Sequence, residues 1–424
     1  LTTGLMLFAL FFGAGNLIFP PVLGASSGEH LPAVLAGFLA TGVLLPLLAV
    51  IAVCTSGEGI LGLARRVGPR FGVVMPLAVY LALGPLYAAP RVATVSYELA
   101  TRPVLALLGV DPGGWALPVH SLVFYGLTIA VALSPTGLAD RIGRWLTPAL
   151  LVLLAVLCAV TIHGQAVVDR APAPGYAAAP LATGLTQGYL TMDVLAASVF
   201  GIVVISGLRE QGRSTQGEVA RSASVAGLLA AVLLATVYVG LALIGARTPG
   251  GDPSDGTALL RTASQASLGS AGVVVFAAIV VLACLTTSVG LLSSWAGYAA
   301  TAWPRTGYRP QLLGATAVSF ALALLGLQTI LTIVSPLTLL LYPVAITLVA
   351  VTLRVEAGDR GDRDLLAGRL GGGRRGRRRS TRRARAPARG RPRRDPHQRR
   401  RRPHHRRARH PQGRGAHRPH PAGH

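Results

Sequence analysis

The sequence predicts an all-α polytopic membrane protein made of two inverted five-helix repeats. Three observations carry that expectation. Of the 424 residues, 51% are hydrophobic and 13% charged, and the apolar ones gather into stretches long enough to cross a bilayer core of about 30 Å. Arginines cluster in every second loop between those stretches. The first and sixth stretches are interrupted by glycine and polar residues where an unbroken membrane helix would carry leucine.

The stretches number about ten, over roughly 3–24, 31–54, 72–99, 117–134, 145–163, 185–206, 224–245, 271–294, 311–327 and 329–353. After the even-numbered spans come Arg65, Arg66 and Arg70, then Arg141 and Arg144, then Arg209, Arg213 and Arg221, then Arg305 and Arg309, and finally Arg354. The intervening loops carry only Arg102, Arg170, Arg247 and Arg261. Basic loops stay on the cytoplasmic side, so the N-terminus is expected in the cytoplasm. One missed helix would scramble this alternation, which therefore also supports the count. Ala171 to Pro180 and Thr248 to Gly256 read as irregular loops from their proline and glycine.

The first span is expected to open in its middle. Leu5 to Phe12 and Leu17 to Leu23 are apolar, whereas Gly13, Gly15 and Asn16 between them hold a helix poorly. An opened turn at membrane depth presents N–H groups to an anion and carbonyls to a cation. An unbroken helix would use the same glycines for close helix contact. The sixth span repeats the pattern, with Gly184, Gly188, Thr191 and Asp193 ahead of the apolar run Val194 to Ile205. Each interrupted span is the first of five, which points to repeats over about 1–165 and 180–353. An odd number of spans per repeat turns the second upside down.

Arg91, Glu98 and Asp193 are the ionisable residues inside spans, where a charge costs at least about 2.5 kcal/mol. Arg91 and Glu98 are seven apart on one helix face, so each could help neutralise the other's surroundings; Arg91 is read as a gating or structural charge ahead of a direct substrate contact, and Glu98 lies near enough to the outer surface to be merely interfacial. Asp193 either caps the second half of span six or binds a cation or an ammonium. Thr286, Thr287 and Ser288 either bond to their own backbone or supply oxygens to a cation. Tyr87, Tyr189 and Phe200 are candidate lining residues. Cys54, Cys158 and Cys284 have no paired or metal-like spacing. Nothing suggests an enzyme: there is no Walker loop and no His-Glu-x-x-His.

The decapeptide Phe12-Gly13-Ala14-Gly15-Asn16-Leu17-Ile18-Phe19-Pro20-Pro21 resembles the signature of the bacterial branched-chain amino acid:cation symporters. Gly84 to Ser96 (GPLYAAPRVATVS), Gly188 to Asp193 (GYLTMD) and Ala283 to Thr287 (ACLTT) follow in that family's order, so the resemblance runs from Leu1 to about Leu353. It implies the leucine-transporter-like fold of the amino acid-polyamine-organocation superfamily. It also implies import of leucine, isoleucine or valine by alternating access across a bacterial inner membrane with Na+ as the coupling ion; the alternative is H+, with Asp193 or Glu98 as the titrating group. The bilayer and the amino acid are the implied partners, and no nucleic acid is. Laid onto this sequence, the resemblance places a sodium ion among the carbonyls of Ala9, Phe12 and Ala283 and the hydroxyls of Thr286 and Thr287. It assigns the substrate carboxylate to the amides of Ala14 and Gly15. Gly13 and Asn16 lie beside them, Asn16 also at a second cation position. Gly188, Tyr189, Thr191, Asp193 and Phe200 complete the implied substrate site.

The domain boundary is expected near 356. The formal charge of +24 lies almost wholly after Gly373; Gly371 to His424 is mostly arginine, proline, glycine, alanine and histidine with almost nothing to bury in a core, so the segment 357–424 is expected to be a disordered tail. Such a tail can touch anionic lipid or nucleic acid non-specifically, but no aromatic residue interleaves with the arginines to stack on bases. The family has about twelve spans and this chain shows ten. The absence of lysine and the abundance of alanine, glycine and arginine suggest GC-rich DNA, whose out-of-frame translation gives this composition. The tail is therefore expected to be frame-shifted translation in place of two last helices. An inactive truncated carrier is the alternative. Because the chain starts at Leu1 rather than methionine, a short preceding piece is also expected.

Overall fold

In an apolar surrounding each backbone N–H and C=O must be paired within its own segment, so the apolar stretches fold as helices. The computed structural model describes residues 1–56, 60–134, 137–250, 253–327, 329–330 and 340–354, without the side chain of Ala14. All of them belong to one unit, Leu1–Arg360. The arginine-rich tail expected over 357–424 lies outside the described residues, as does part of the tenth expected span.

The longer helices are α1 (Thr2–Phe11), α2 (Ala14–Ser26), α3 (Gly28–Thr55), α4 (Phe71–Leu107), α5 (Ala116–Ala132), α6 (Leu138–Gly164), α7 (Pro180–Tyr189), α8 (Asp193–Glu210), α9 (Gln216–Arg247), α10 (Gly256–Leu268), α11 (Ser270–Ala302), α12 (Tyr308–Ala323) and α13 (Leu340–Arg354), and Ile60–Arg65 and Pro174–Ala178 are short helical turns. No strand occurs among the described residues. Six helical segments among them are long and apolar enough to cross a membrane, with α7 and α8 counted as one, or seven if the bent pair α1–α2 is one span. Helices α1, α8 and α11 are buried along most of their length and pack on one another at the centre. Outer faces carry large aliphatic side chains: Leu122, Val123 and Leu127 on α5, Val152 on α6, and Val225, Leu228 and Val232 on α9. Such faces suit lipid rather than water, so the chain fits a multi-pass membrane protein.

Several details differ from the sequence expectation. Gly184 and Gly188 do not mark the interruption of the sixth span. They form a close seam in which α7 lies against α3: a Cβ on Gly184 would strike the Val34 carbonyl, and one on Gly188 would strike the Thr41 hydroxyl and the Phe38 carbonyl. The bland use of membrane glycines, close helix approach, is the one seen there. The interruption itself is the turn Leu190 to Met192, inside the expected stretch Gly188 to Asp193. Of the two loops expected to be irregular, Thr248 to Asp255 has no helix among its described residues, as expected, whereas Ala171 to Pro180 holds order. Pro174–Ala178 is a helical turn and Pro180 opens α7, a position where the missing N–H costs nothing. The stretch after Thr248 leads into α10, whose start is capped by Asp255, with Oδ1 accepting from the amides of Thr257 (2.9 Å) and Ala258 (3.1 Å). Helix α4 bends at Gly84, φ −79° and ψ −113°, next to Pro85, which has no N–H to continue the ladder.

Candidate functional site

The first interruption follows from where one N–H goes. In a continuing helix the Gly13 amide would bond to the Ala9 carbonyl. Instead it bonds to Phe11 O at 2.8 Å, and Gly13 is extended at φ −99°, ψ −173°. Helix α1 therefore stops at Phe11, Phe12 makes the link, and α2 leaves at 70°. Ala14 and Gly15 open α2, so their N–H groups have no intrahelical carbonyl to meet, and Gly13 at the N-cap brings no side chain to them. Further along α2, Pro20 and Pro21 lack N–H groups, which leaves the carbonyls of Asn16 and Leu17 without their usual donors.

The second interruption is held differently. Thr191 Oγ1 turns back to the Gly188 carbonyl at 2.8 Å, and Met192 takes the left-handed conformation, φ 59°, ψ 21°. That conformation costs an ordinary residue about 1–2 kcal/mol. Met192, not Asp193, occupies the N-cap position of α8, so the expected capping role of Asp193 is not the one seen. As the first residue of α8, Asp193 sends its carboxylate across to α2, where Oδ2 accepts from Asn16 Nδ2 at 2.7 Å. The same amide group donates to the Tyr238 hydroxyl on α9. Asn16, Asp193 and Tyr238 are 3%, 4% and 0% exposed, so this polar trio ties three helices together away from solvent. Tyr238 was missed from sequence. A lone tyrosine in an aliphatic span gives no signal beyond packing.

The two interruptions meet at one cavity. Gly13, Gly15 and Asn16 line it from one side, and Thr191, Met192 and Asp193 from the other. Tyr87 and Arg91 of α4 and Thr287 of α11 add polar groups, while Leu10, Phe11, Leu83, Phe200 and Leu291 are among its apolar walls. Gly188 and Tyr189 stand outside this lining: Gly188 is in the α3–α7 seam, and the Tyr189 ring packs edge-on against Tyr342 of α13 at 4.4 Å.

Beside the cavity, oxygens crowd around one hydroxyl. Thr286 Oγ1 lies 3.0 Å from each of the carbonyls of Ala9, Leu282 and Ala283. A hydroxyl has one proton and cannot satisfy three acceptors at once. The Ala9 carbonyl is available because Gly13 withholds its amide, so this cluster is a direct product of the first interruption. Phe12 is fully buried in the adjoining link. Thr287 Oγ1 is buried without a hydrogen-bond partner among the described residues and lies 3.0 Å from where a Cβ on Gly13 would be.

The expected mutual neutralisation of Arg91 and Glu98 does not form. Glu98 pairs with Arg102, four residues on, at 2.9 Å. Arg91 instead donates to the Tyr87 hydroxyl at 3.2 Å, with its guanidinium 5.6 Å from the centre of that ring.

Comparison with known proteins agrees with this architecture. Residues 1–360 match the family described as branched-chain amino acid transport protein. The chain is 44% identical over 354 residues to the branched-chain amino acid permease BrnQ of Corynebacterium glutamicum, covering 83% of this chain and 80% of that protein. It is 39% identical over 355 residues to the branched-chain amino acid transport system 2 carrier protein of Pseudomonas aeruginosa, with 83% and 80% covered. Among solved structures, MhsT in complex with L-phenylalanine superposes with a TM-score of 0.53 over 82% of this chain and 88% of that one. At 16% identity this last likeness concerns the fold alone. On the match over residues 1–360 and the identity to these relatives, the chain belongs to the branched-chain amino acid transport protein family.

Proposed function

We propose that the protein is a secondary symporter importing leucine, isoleucine or valine with sodium across the bacterial inner membrane. The observation that carries this reading is the meeting of two helix interruptions at one cavity, beside the oxygens gathered on Thr286. The amides of Ala14 and Gly15 at the start of α2 would receive the substrate carboxylate, since the first N–H groups of a helix favour an anion. Gly13 adds no bulk there, and Asn16, Thr191 and Asp193 supply the remaining polar contacts. Phe200 and its aliphatic neighbours surround the branched side chain. Burying that side chain contributes about 1.5–3 kcal/mol, too little to separate leucine from isoleucine sharply. Gly188 and Tyr189 would act from behind, by fixing the end of α7.

Sodium is carried as a co-substrate. The carbonyls of Ala9, Phe12 and Ala283 and the hydroxyls of Thr286 and Thr287 would ligate it, turning Thr286 from donor to ligand. Such an ion would join α1 to α11 next to the interruption and so stabilise the state that holds the amino acid. The ten spans expected from the sequence would then form two inverted repeats with a cytoplasmic N-terminus. Alternating access would follow from movement about the paired interruptions. The test is radiolabelled leucine uptake into proteoliposomes: an inward sodium gradient should stimulate it, and equal uptake in sodium and potassium would rule out sodium coupling.

One observation favours a second reading, proton coupling: a carboxylate, Asp193, is buried among neutral partners at the cavity. Asp193→Asn should then abolish the pH dependence of uptake. A pH profile unchanged in this variant would exclude Asp193 as a proton carrier.

A further inference from the structure

The geometry points to Arg91 as the side chain that recognises the substrate carboxylate, opposite Asp193 as the group that recognises its ammonium. This rests on the reading of the cavity as an amino acid site.

Both charged residues line the same cavity from different helices, Arg91 from α4 and Asp193 from the start of α8. Neither is neutralised by the other. Among the described residues no carboxylate lies within ion-pair range of Arg91, since Glu98 is taken by Arg102. Its partner is the neutral Tyr87 hydroxyl at 3.2 Å, and the same ring's face lies 5.6 Å from the guanidinium carbon. Both contacts fix the direction of the guanidinium while leaving N–H donors unused; a guanidinium has five. Nη2 lies 3.8 Å from where a Cβ on Gly15 would be, so these donors sit against the start of α2. A methyl group at that position would only touch the guanidinium, whereas a longer side chain would occupy the space between them; glycine leaves that space for a ligand to reach both the amides and Arg91.

A lone cation in a water-filled cavity is tolerable, because water supplies its partners. Closing the cavity around a substrate removes that water, and an uncompensated charge then opposes closure. A carboxylate bound in parallel to two guanidinium N–H groups removes the cost at Arg91. An ammonium removes it at Asp193, whose carboxylate otherwise has only the hydrogen bond from Asn16 and hydroxyl neighbours. The two residues therefore form a two-pole check. A molecule with both charges allows closure, and one lacking either leaves a bare charge in the closed site.

The full-length protein in detergent, with sodium present, is tested by competition against radiolabelled leucine. The probes are leucinamide and 3-methylbutylamine, which keep the ammonium but lack the carboxylate. On wild type each should bind about 10- to 100-fold more weakly than leucine, the range expected for loss of a charged hydrogen-bonded pair. Arg91→Gln should weaken leucine by a similar factor and leave the two amines nearly unchanged, so the preference collapses. Arg91→Lys keeps the charge without the planar fork and should fall between. Leucinamide competing as well as leucine on wild type, or a leucine preference in Arg91→Lys or folded Arg91→Gln equal to wild type, overturns the assignment. Failure of wild type to bind leucine, isoleucine or valine at all would instead overturn the reading of the cavity on which it rests.

Discussion

Thr286 shows how much one hydroxyl can organise. Its oxygen meets carbonyls from its own helix and from α1, and the contact to Ala9 exists only because Gly13 turned its amide elsewhere. If this cluster holds the coupling ion, Thr286→Val should raise the sodium concentration for half-maximal leucine uptake about tenfold or more, equivalent to one lost ligand of about 1.4 kcal/mol. Thr286→Ser should keep wild-type sodium dependence, which separates loss of a ligand from loss of a methyl contact. Among the polar residues, Asn16 and Asp193 were legible in the sequence because each interrupts an apolar run. Their bond to each other was not, since 177 positions separate them. Tyr238 gave no sign at all, because a phenol in a membrane span reads as packing until a partner is seen.

At the scale of elements, the glycine seam between α3 and α7 sets where the second interruption is held. Gly184→Leu would drive a side chain into the backbone of α3 and should destabilise the protein by about 1–3 kcal/mol or more, read as a lower unfolding temperature in detergent. Gly126→Leu on α5, where a Cβ meets nothing within 4 Å, should leave that temperature nearly unchanged. Helix α10 offers a test by pH. Burial pushes the Asp255 carboxyl up, but hydrogen bonds from the Thr257 hydroxyl and from the amides of Ala258 and Thr257, with Arg261 nearby, hold it below its ordinary value. A carboxylate depressed on folding stabilises above its unfolded value of about 3.9 and loses that contribution as pH falls through the folded value. The protection of the amides over Gly256–Leu268, taken against the intrinsic exchange rate at the same pH, should therefore be high at neutral pH and fall in acid. Asp255→Ala should show the lowered protection already at neutral pH, at a cost of about 1 kcal/mol. The sequence reading missed α10 because the glycine and proline before it signal a loop, while the cap that starts it is a single aspartate.

At the scale of the whole molecule, the family match ends at residue 360 and the unit holding every described residue ends at Arg360. A chain stopped after Arg360 should therefore take up leucine as the full chain does, measured side by side in the same vesicles at equal protein. Lower uptake by the shortened chain would show that the arginine-rich segment contributes to function.

The sequence by itself determined the helical class, the positions of most apolar helices and the existence of two special places along the chain. Those features depend on local composition: apolar length, glycine and proline, and charge between spans. The family was also legible, through short motifs around both interruptions. Tertiary structure alone decided which glycines pack and which open a helix, and which polar groups meet across helices. Glu98 pairs with Arg102 four residues on, a spacing the sequence contains, whereas the Tyr87 ring that Arg91 meets was not read as its partner. The cavity is likewise a tertiary object, because its walls come from residues near 13, 91, 193 and 287. Helix periodicity reaches only a few turns. What lies across a packed core is set by how whole helices approach one another.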